Sequence, residues 1–161
     1  MSSTNSLHYQ LCCEGAKYLI QPRAKEPWDG QNKWSAVEII CMGCENPDVY
    51  ATNGETSTVI EVKTSHSDFV NDKNKYSRTE QAKNSKHFLG NYHYYLCPEN
   101  LIKENELPEN WGLLYWTGKK IIKVVKSPKI DCDKKWDCYI LSSIINREIG
   151  IHKIFNYRKN I

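Results

Sequence analysis

The dipeptide Asn53-Gly54 is the sequence feature that most constrains the fold. It separates two runs, 48–52 and 56–64, that are rich in Val, Ile, Thr and Tyr, residue types that favour strands. Asn and Gly both tolerate the positive φ of a tight turn. The pattern therefore predicts an antiparallel β-hairpin, which fixes the direction of two strands and the side of the sheet on which each side chain lies.

A two-residue turn would set the register of this hairpin, with Asp48 opposite Val59. Asp48 and Glu61 then become diagonal neighbours, about 7–8 Å apart. Because side chains alternate along a strand, Asp48, Glu61 and Lys63 are expected on one face, while the apolar residues between them point into a core. Two carboxylates on this face can converge on one cation.

Helical and strand patterns alternate along the rest of the chain. Apolar spacing predicts a first helix over 6–20 and a closing helix over 133–149. Further helices are predicted from an N-cap at Ser67 onward and over 78–89, and further strands over 34–40, 92–97, 112–116 and 121–125. This alternation predicts an α/β domain with a mixed central β-sheet flanked by helices on both faces.

The length of 161 residues fits one domain with one core, so we treat 1–161 as a single domain. No apolar run approaches the roughly 20 residues that span a bilayer, and no membrane contact is expected. The polar start, 1–6, has no basic stretch followed by an apolar one. We therefore expect no secretory signal and a cytoplasmic location.

The seven cysteines are an odd number and form no small-domain disulfide pattern, so reduced thiols are expected. Cys41 and Cys44 form a C-x-x-C that could join His8 and Cys12, four apart on the first helix, in a zinc site. An iron–sulfur cluster is a related alternative. Since no second C-x-x-C completes the pattern, buried thiols are the favoured interpretation.

Charge is unevenly distributed along the chain. Residues 1–62 carry four basic and eight acidic side chains, whereas residues 63–86 carry six basic and three acidic, and residues 119–161 carry eleven basic and four acidic. An acidic first part followed by basic regions suits a metal site beside a surface that binds a polyanion. A solvated lysine-rich surface explains the same distribution, and charge alone favours that simpler interpretation.

Pro47-Asp48 followed by Glu61-Val62-Lys63 resembles the signature of the PD-(D/E)XK nuclease superfamily, which has a restriction-endonuclease-like core. The longer stretch 60–69, with Asp72-Lys73 after it, is similar to bacterial and phage members associated with DNA repair, recombination or phage DNA processing. The segments 91–98 and 107–114 add to this likeness, which covers roughly residues 36–126. The short signature is degenerate, and the longer context is more specific.

The resemblance implies a nuclease that depends on Mg²⁺ or Mn²⁺ and hydrolyses phosphodiester bonds. Asp48 and Glu61 would be metal ligands, the carbonyl of Val62 a further ligand, and Lys63 the catalytic lysine. The superfamily often adds an upstream acid. Glu38, placed within the predicted strand 34–40, matches best, and Glu14 on the first helix is the rival.

DNA is the implied partner, with RNA left open as a substrate. Ser65, Lys73, Lys75 and Lys86 are candidate phosphate contacts, because they follow the catalytic strand closely. A small nuclease that cuts both strands often dimerises, so a homodimer is one expected arrangement. Two alternatives belong to other classes: a non-catalytic nucleic-acid-binding module with the nuclease fold, and a structural metal-binding protein built on Cys41 and Cys44.

Overall fold

The computed structural model describes residues 6–21, 32–41, 45–75, 78 and 88–148. Within these ranges six strands form one sheet, and their order in the sheet follows their order in the chain. The strands are β1 (Trp34–Val37), β2 (Val49–Thr52), β3 (Ser57–Val62), β4 (Tyr92–Pro98), β5 (Gly112–Trp116) and β6 (Ile121–Val125).

The sheet is mixed. Strand β2 runs antiparallel to both of its neighbours, β1 and β3. Strands β3, β4 and β5 run parallel, and β6 returns antiparallel to β5. The carboxyl ends of the parallel strands therefore meet at one end of the sheet, where the amino end of β2 also lies. This end of the sheet brings Asp48 next to the residues that follow β3.

Three α-helices have defined bounds in the described part of the chain: α1 (Leu7–Ile20), α2 (His66–Lys73) and α3 (Lys134–Glu148). A short 3-10 helix covers Glu104–Glu106. No helix in these ranges has both the length and the apolar character needed to cross a bilayer. The prediction of an α/β domain with a mixed sheet flanked by helices is confirmed.

Helices cover both faces of the sheet. On the face that we call the α1 face, α1 packs against apolar side chains of β2, β3 and β4, including Val49, Ile60 and Leu96. On the opposite face, the α2 face, Phe69 of α2 packs with Tyr95, and Ile140 of α3 packs with Tyr50 and Val59. The alternation of side chains along β3 sends Ile60 to one core and Val59 to the other.

Gly15 lets α1 approach the sheet closely. A Cβ atom at this position would lie 3.1 Å from Leu96 Cδ2 and 3.4 Å from Ile60 Cδ1, tighter than ordinary van der Waals contact. The absence of a side chain at Gly15 therefore lets α1 pack closely against β3 and β4.

The predicted register of the hairpin is wrong by two residues. Thr52 pairs with Ser57, and Val49 pairs with Ile60, so continuing the ladder places Asp48 opposite Glu61. The loop is longer than two residues because the side-chain oxygen of Asn53 accepts the N–H groups of Glu55 and Thr56, both at 2.8 Å. Because side chains alternate with a period of two, a register shift of two residues leaves each side chain on the predicted face of the sheet.

Three other predicted boundaries also differ. Strand β1 ends at Val37, because Glu38 has a φ of 47° and leaves the extended conformation. Ser65 is the N-cap of α2, where Ser67 was predicted, and its hydroxyl accepts the N–H of Asp68. The predicted helix over 78–89 lies mostly outside the described residues. Of its described residues, Arg78 is in helical conformation, whereas Phe88 and Leu89 are not.

Candidate active site

Asp48 lies immediately before β2, at the end of the sheet where β3 finishes. The backbone N–H of Val62 donates to its Oδ2 at 2.7 Å, which orients the carboxylate toward the end of β3. In an antiparallel pair the N–H and C=O of one residue point to the same neighbouring strand. The carbonyl of Val62 therefore faces the side on which Asp48 lies.

Glu61 and Lys63 are both buried, with only 6% and 5% of their surface exposed. Lys63 Nζ lies 3.4 Å from Glu61 Oε2. Its backbone N–H donates to the carbonyl of Leu96 at 2.9 Å, which extends the parallel ladder and fixes the lysine at the carboxyl end of β3. With Asp48, these residues form what we call the carboxylate–lysine site.

Burial and the neighbouring charges act on both groups of this site. Burial, and next the negative charge of Asp48, raise the pKa of Glu61 to about 8. Burial disfavours the ammonium form of Lys63, but the carboxylates of Glu61 and Asp72 outweigh it and raise the pKa of Lys63. The oxygen atoms of two neighbouring carboxyl groups suit a divalent cation, and a charged lysine beside them suits an anionic substrate.

Asp72, on the inner side of α2, is the centre of a buried ion-pair network. Its Oδ1 lies 3.5 Å from Lys63 Nζ, and its Oδ2 accepts hydrogen bonds from Arg78 Nε at 3.2 Å and from the Tyr95 hydroxyl at 2.8 Å. Burial opposes ionisation, but the guanidinium of Arg78 and the other donors lower the pKa of Asp72. The carboxylate is therefore charged and holds Lys63 in place from the side opposite Glu61.

Arg78 is also buried, with 5% of its surface exposed. Its guanidinium pairs with Glu45 and lies 3.4 Å from Glu61 Oε1. The guanidinium carbon lies 4.7 Å from the ring centroid of Trp111. The side chain of Arg78 is therefore enclosed with the carboxylate–lysine site.

Sequence reasoning gave no role to Asp72 or Glu45. A usable signal existed for Asp72, since it lies three residues after Phe69 and such spacing places both on one side of a helix. Phe69 and Asp72 are the two buried residues of α2. An acid at a core position of a short helix requires a charged partner, and the partners here come from β3 and from position 78.

A second group of donors, the α1 cluster, contains His8, Cys12 and Asp48. His8 Nε2 lies 3.4 Å from Asp48 Oδ2, and Cys12 Sγ lies 3.7 Å from His8 Nδ1. The hydrogen bond to Asp48 is the largest influence on His8 and raises its pKa, against the effect of burial. Burial raises the pKa of the Cys12 thiol, and the charges of Asp48 and Glu38 add to the effect.

The two upstream acids, Glu38 and Glu14, have different surroundings. Glu38 follows β1, its N–H donates to the carbonyl of Asp48 at 2.8 Å, and its charge acts on His8. Glu14 forms an exposed ion pair with Lys17 at 2.8 Å and lines a groove of about 550 Å³ with the β5–β6 hairpin. Glu38 is therefore the nearer of the two to Asp48.

The predicted phosphate contacts have varied surroundings. Ser65 caps α2. Lys73 contacts the Phe69 ring and the carbonyl of Glu106, and Lys75 is an exposed side chain that pairs with Asp72 at 2.7 Å. Lys86 lies outside the described residues. The charges of Lys73 and Lys75 thus lie within one helical turn of Asp72, next to the carboxylate–lysine site.

The cysteine alternative is only partly described. Cys41 is buried, and its N–H donates to Asn46 Oδ1 at 2.7 Å, whereas Cys44 lies outside the described residues. His8 and Cys12 come together as the zinc alternative required. Their described neighbour is Asp48, rather than the first cysteine of the C-x-x-C.

No family model matches the chain, and no curated protein matches it. Among solved structures, the chain is similar to a protein of unknown function from Silicibacter pomeroyi. The two share 16% sequence identity with a TM-score of 0.53, over 71% of this chain and 73% of that one. At this identity the likeness concerns the fold, and the chain shares the α/β architecture of that protein.

Proposed function

We propose that this chain is a metal-dependent nuclease that hydrolyses DNA phosphodiester bonds. The observation that carries the proposal is the position of Asp48 across from Glu61, with Lys63 3.4 Å from Glu61 at the same end of the sheet. These three residues also carry the resemblance to PD-(D/E)XK nucleases. One site therefore unites two carboxylates, a strand carbonyl and a charged lysine.

Asp48, Glu61 and the carbonyl of Val62 would hold the cation. All three offer hard oxygen donors, the type that Mg²⁺ and Mn²⁺ take. Burial, and next the charge of Asp48, raise the pKa of Glu61, and a bound cation would favour its carboxylate form. When bound, the cation would neutralise phosphate charge and make a water more acidic.

Lys63 would act as a charged group rather than as a base. Its ammonium lies between Glu61 at 3.4 Å and Asp72 at 3.5 Å, a setting that favours the protonated form. A protonated lysine orients the attacking water by hydrogen bonding and stabilises the charge that develops on the phosphate. Asp72 and Arg78 act as positioning residues, because they hold Lys63 and Glu61 in a fixed arrangement.

A metal-titrated cleavage assay on supercoiled, linear and single-stranded DNA tests this proposal. We expect cleavage with Mg²⁺ or Mn²⁺, and loss of it in both Lys63→Ala and Glu61→Ala. Lys17→Ala is the matched control, since Lys17 is an exposed lysine paired with Glu14 and should keep full activity. Circular dichroism confirms that each variant is folded. Full activity in purified Lys63→Ala would refute the role of that lysine.

A non-catalytic nucleic-acid-binding module is the second candidate. It is favoured by the two cationic partners of Glu61, Lys63 at Oε2 and Arg78 at Oε1, which already neutralise the carboxylate. In that case the wild-type chain would bind DNA in a salt-dependent manner and leave every DNA form intact with each metal. The same assay, run beside a binding measurement, separates the two candidates.

A further inference from the structure

The α1 cluster combines three kinds of donor from two elements. His8 and Cys12 are one turn apart on α1, and Asp48 precedes β2. One imidazole nitrogen, the Cys12 sulfur and one carboxylate oxygen all lie within 4.8 Å of one another. The donors of a tetrahedral zinc site, with bonds of about 2.0–2.3 Å, lie roughly 3.3–3.7 Å apart. Small rotations of side chains would close the cluster around one ion.

The surroundings of the cluster suit a bound ion. The N–H of Val62 orients the Asp48 carboxylate at 2.7 Å, as hydrogen bonds around metal ligands commonly do. Cys12 is fully buried, whereas the side chains of His8 and Asp48 are 35% and 23% exposed. The side chains of His8 and Asp48 therefore leave the cluster partly accessible to solvent.

The donor set distinguishes this cluster from the carboxylate–lysine site. Nitrogen and sulfur donors bind borderline and soft divalent ions, while Mg²⁺ takes oxygen donors and keeps its waters. We propose that His8, Cys12 and Asp48 bind one thiophilic divalent cation of the zinc and cobalt class. The inference goes beyond the proposed nuclease activity: it shares Asp48 with that site but requires no cleavage.

Binding changes the protonation of the cluster in a defined way. The Cys12 thiol loses its proton to solvent as the sulfur–metal bond forms, and His8 loses one wherever it begins as imidazolium. The metal keeps its oxidation state, so no oxidant or reductant takes part. Three protein ligands leave one position for water, the arrangement of catalytic rather than structural zinc sites.

Titration of the full chain with Co²⁺ tests the inference, since Co²⁺ adopts zinc sites and is coloured. The reduced protein should bind one equivalent in the cluster, with a sulfur-to-cobalt charge-transfer band in the near ultraviolet. Zn²⁺ should remove that band by displacing Co²⁺, while a large excess of Mg²⁺ should leave it. Absence of the band in wild-type protein, or its loss to excess Mg²⁺, would overturn the proposal.

Variants identify the ligands. Cys12→Ala should abolish the band, whereas Cys13→Ala, a matched change at the next position of α1, should keep it. His8→Ala, at a half-exposed site that tolerates substitution, should weaken Co²⁺ binding by at least about tenfold. A band that persists in Cys12→Ala, or affinity unchanged in His8→Ala, would assign the metal to other residues and end the proposal.

Lys63→Ala separates this inference from the proposed function. Lys63 ligates nothing in the α1 cluster, so the band should persist in this variant even though cleavage is expected to be lost. If the protein cleaves no DNA, the Co²⁺ band is still expected. If the band is absent, cleavage with Mg²⁺ is still expected. If the band is lost in Lys63→Ala while the fold is retained, the assignment to the three ligands is wrong.

Discussion

The two faces of the sheet are built by different means. The α1 face is a continuous apolar core in which side chains such as Ile60 and Leu96 are fully buried. The α2 face buries charges as well, with Asp72 and Arg78 enclosed beside Glu61 and Lys63. Apolar packing fixes where α1 lies without directional contacts, whereas buried ions require particular partners at particular distances. The face that carries the candidate chemistry is thus the one whose structure depends on pairing.

Loss of Arg78 should have the largest effect on stability. Arg78→Met leaves Asp72 and Glu61 buried without their guanidinium partner, and breaking a buried pair costs about 3–5 kcal/mol. Urea denaturation at neutral pH measures the free energy of unfolding. A loss below about 1 kcal/mol would show that the α2 face does not depend on this pairing and would remove the distinction between the faces.

Shortening a buried apolar side chain on the α1 face should lower the free energy of unfolding slightly less than the loss of Arg78. Leu96 is fully buried and lies close to Gly15. Leu→Ala changes in cores lower the free energy of unfolding by about 2–5 kcal/mol, so we expect a loss of about 3 kcal/mol for Leu96→Ala. The loss should be independent of salt, because no charge is exposed. A loss that varied strongly between low and high salt would show that the two faces are electrostatically linked.

His93, on the α2 face, should make stability depend on pH. Burial lowers the pKa of His93 from 6.5 to about 3, so between these values the unfolded chain takes a proton that the folded chain does not. The contribution of His93 to stability therefore falls as pH decreases below about 6.5, by about 2 kcal/mol between pH 8 and pH 5. His93→Gln should lose this part of the pH dependence, as measured by urea denaturation at both values. An equal change in the free energy of unfolding between the two pH values in both proteins would contradict this role of His93.

Lys75 provides the smallest expected effect and the matched comparison for Arg78. Both cations pair with Asp72, but Lys75 is exposed, and exposed pairs contribute about 0–1 kcal/mol. Lys75→Met should therefore change the free energy of unfolding by less than about 1 kcal/mol. If Lys75 contacts phosphate, the same variant should lower DNA affinity and reduce the dependence of log Kd on log salt by about one. An unchanged slope of log Kd against log salt would show that the DNA does not contact Lys75.

The sequence predicted the elements better than their contacts. Asn53-Gly54 located the hairpin, and apolar runs located β4, β5 and β6, because these signals are local. The register was wrong because it depends on how the Asn53 side chain satisfies two backbone N–H groups in the loop. The end of β1 at Val37 was missed because the positive φ of the next residue, Glu38, has no signature in the sequence.

The candidate site was predicted only in part, because local patterns could be recognised in the sequence and tertiary contacts could not. The alternation of side chains predicted that Glu61 and Lys63 lie on one face of the hairpin, and their side chains lie 3.4 Å apart. Asp72 and Arg78 reach the site through tertiary packing, and a single sequence does not record which distant charges become partners. His8 and Cys12 were recognised as neighbours on a helix, but their proximity to Asp48 depends on how α1 packs on the sheet, which a single sequence does not record.

The agreement between strand order and chain order has a consequence for assembly. Each described strand after β1 pairs with the strand that precedes it in the chain, so the sheet can grow from its amino-terminal edge as the ribosome releases the polypeptide. The β2–β3 hairpin closes a short loop and can form early. β4 pairs with β3 only after 29 intervening residues, 63–91, have emerged. Nascent chains stalled before β4 should therefore contain Asp48 and Glu61 as hairpin neighbours, before the strand that completes their enclosure has been made.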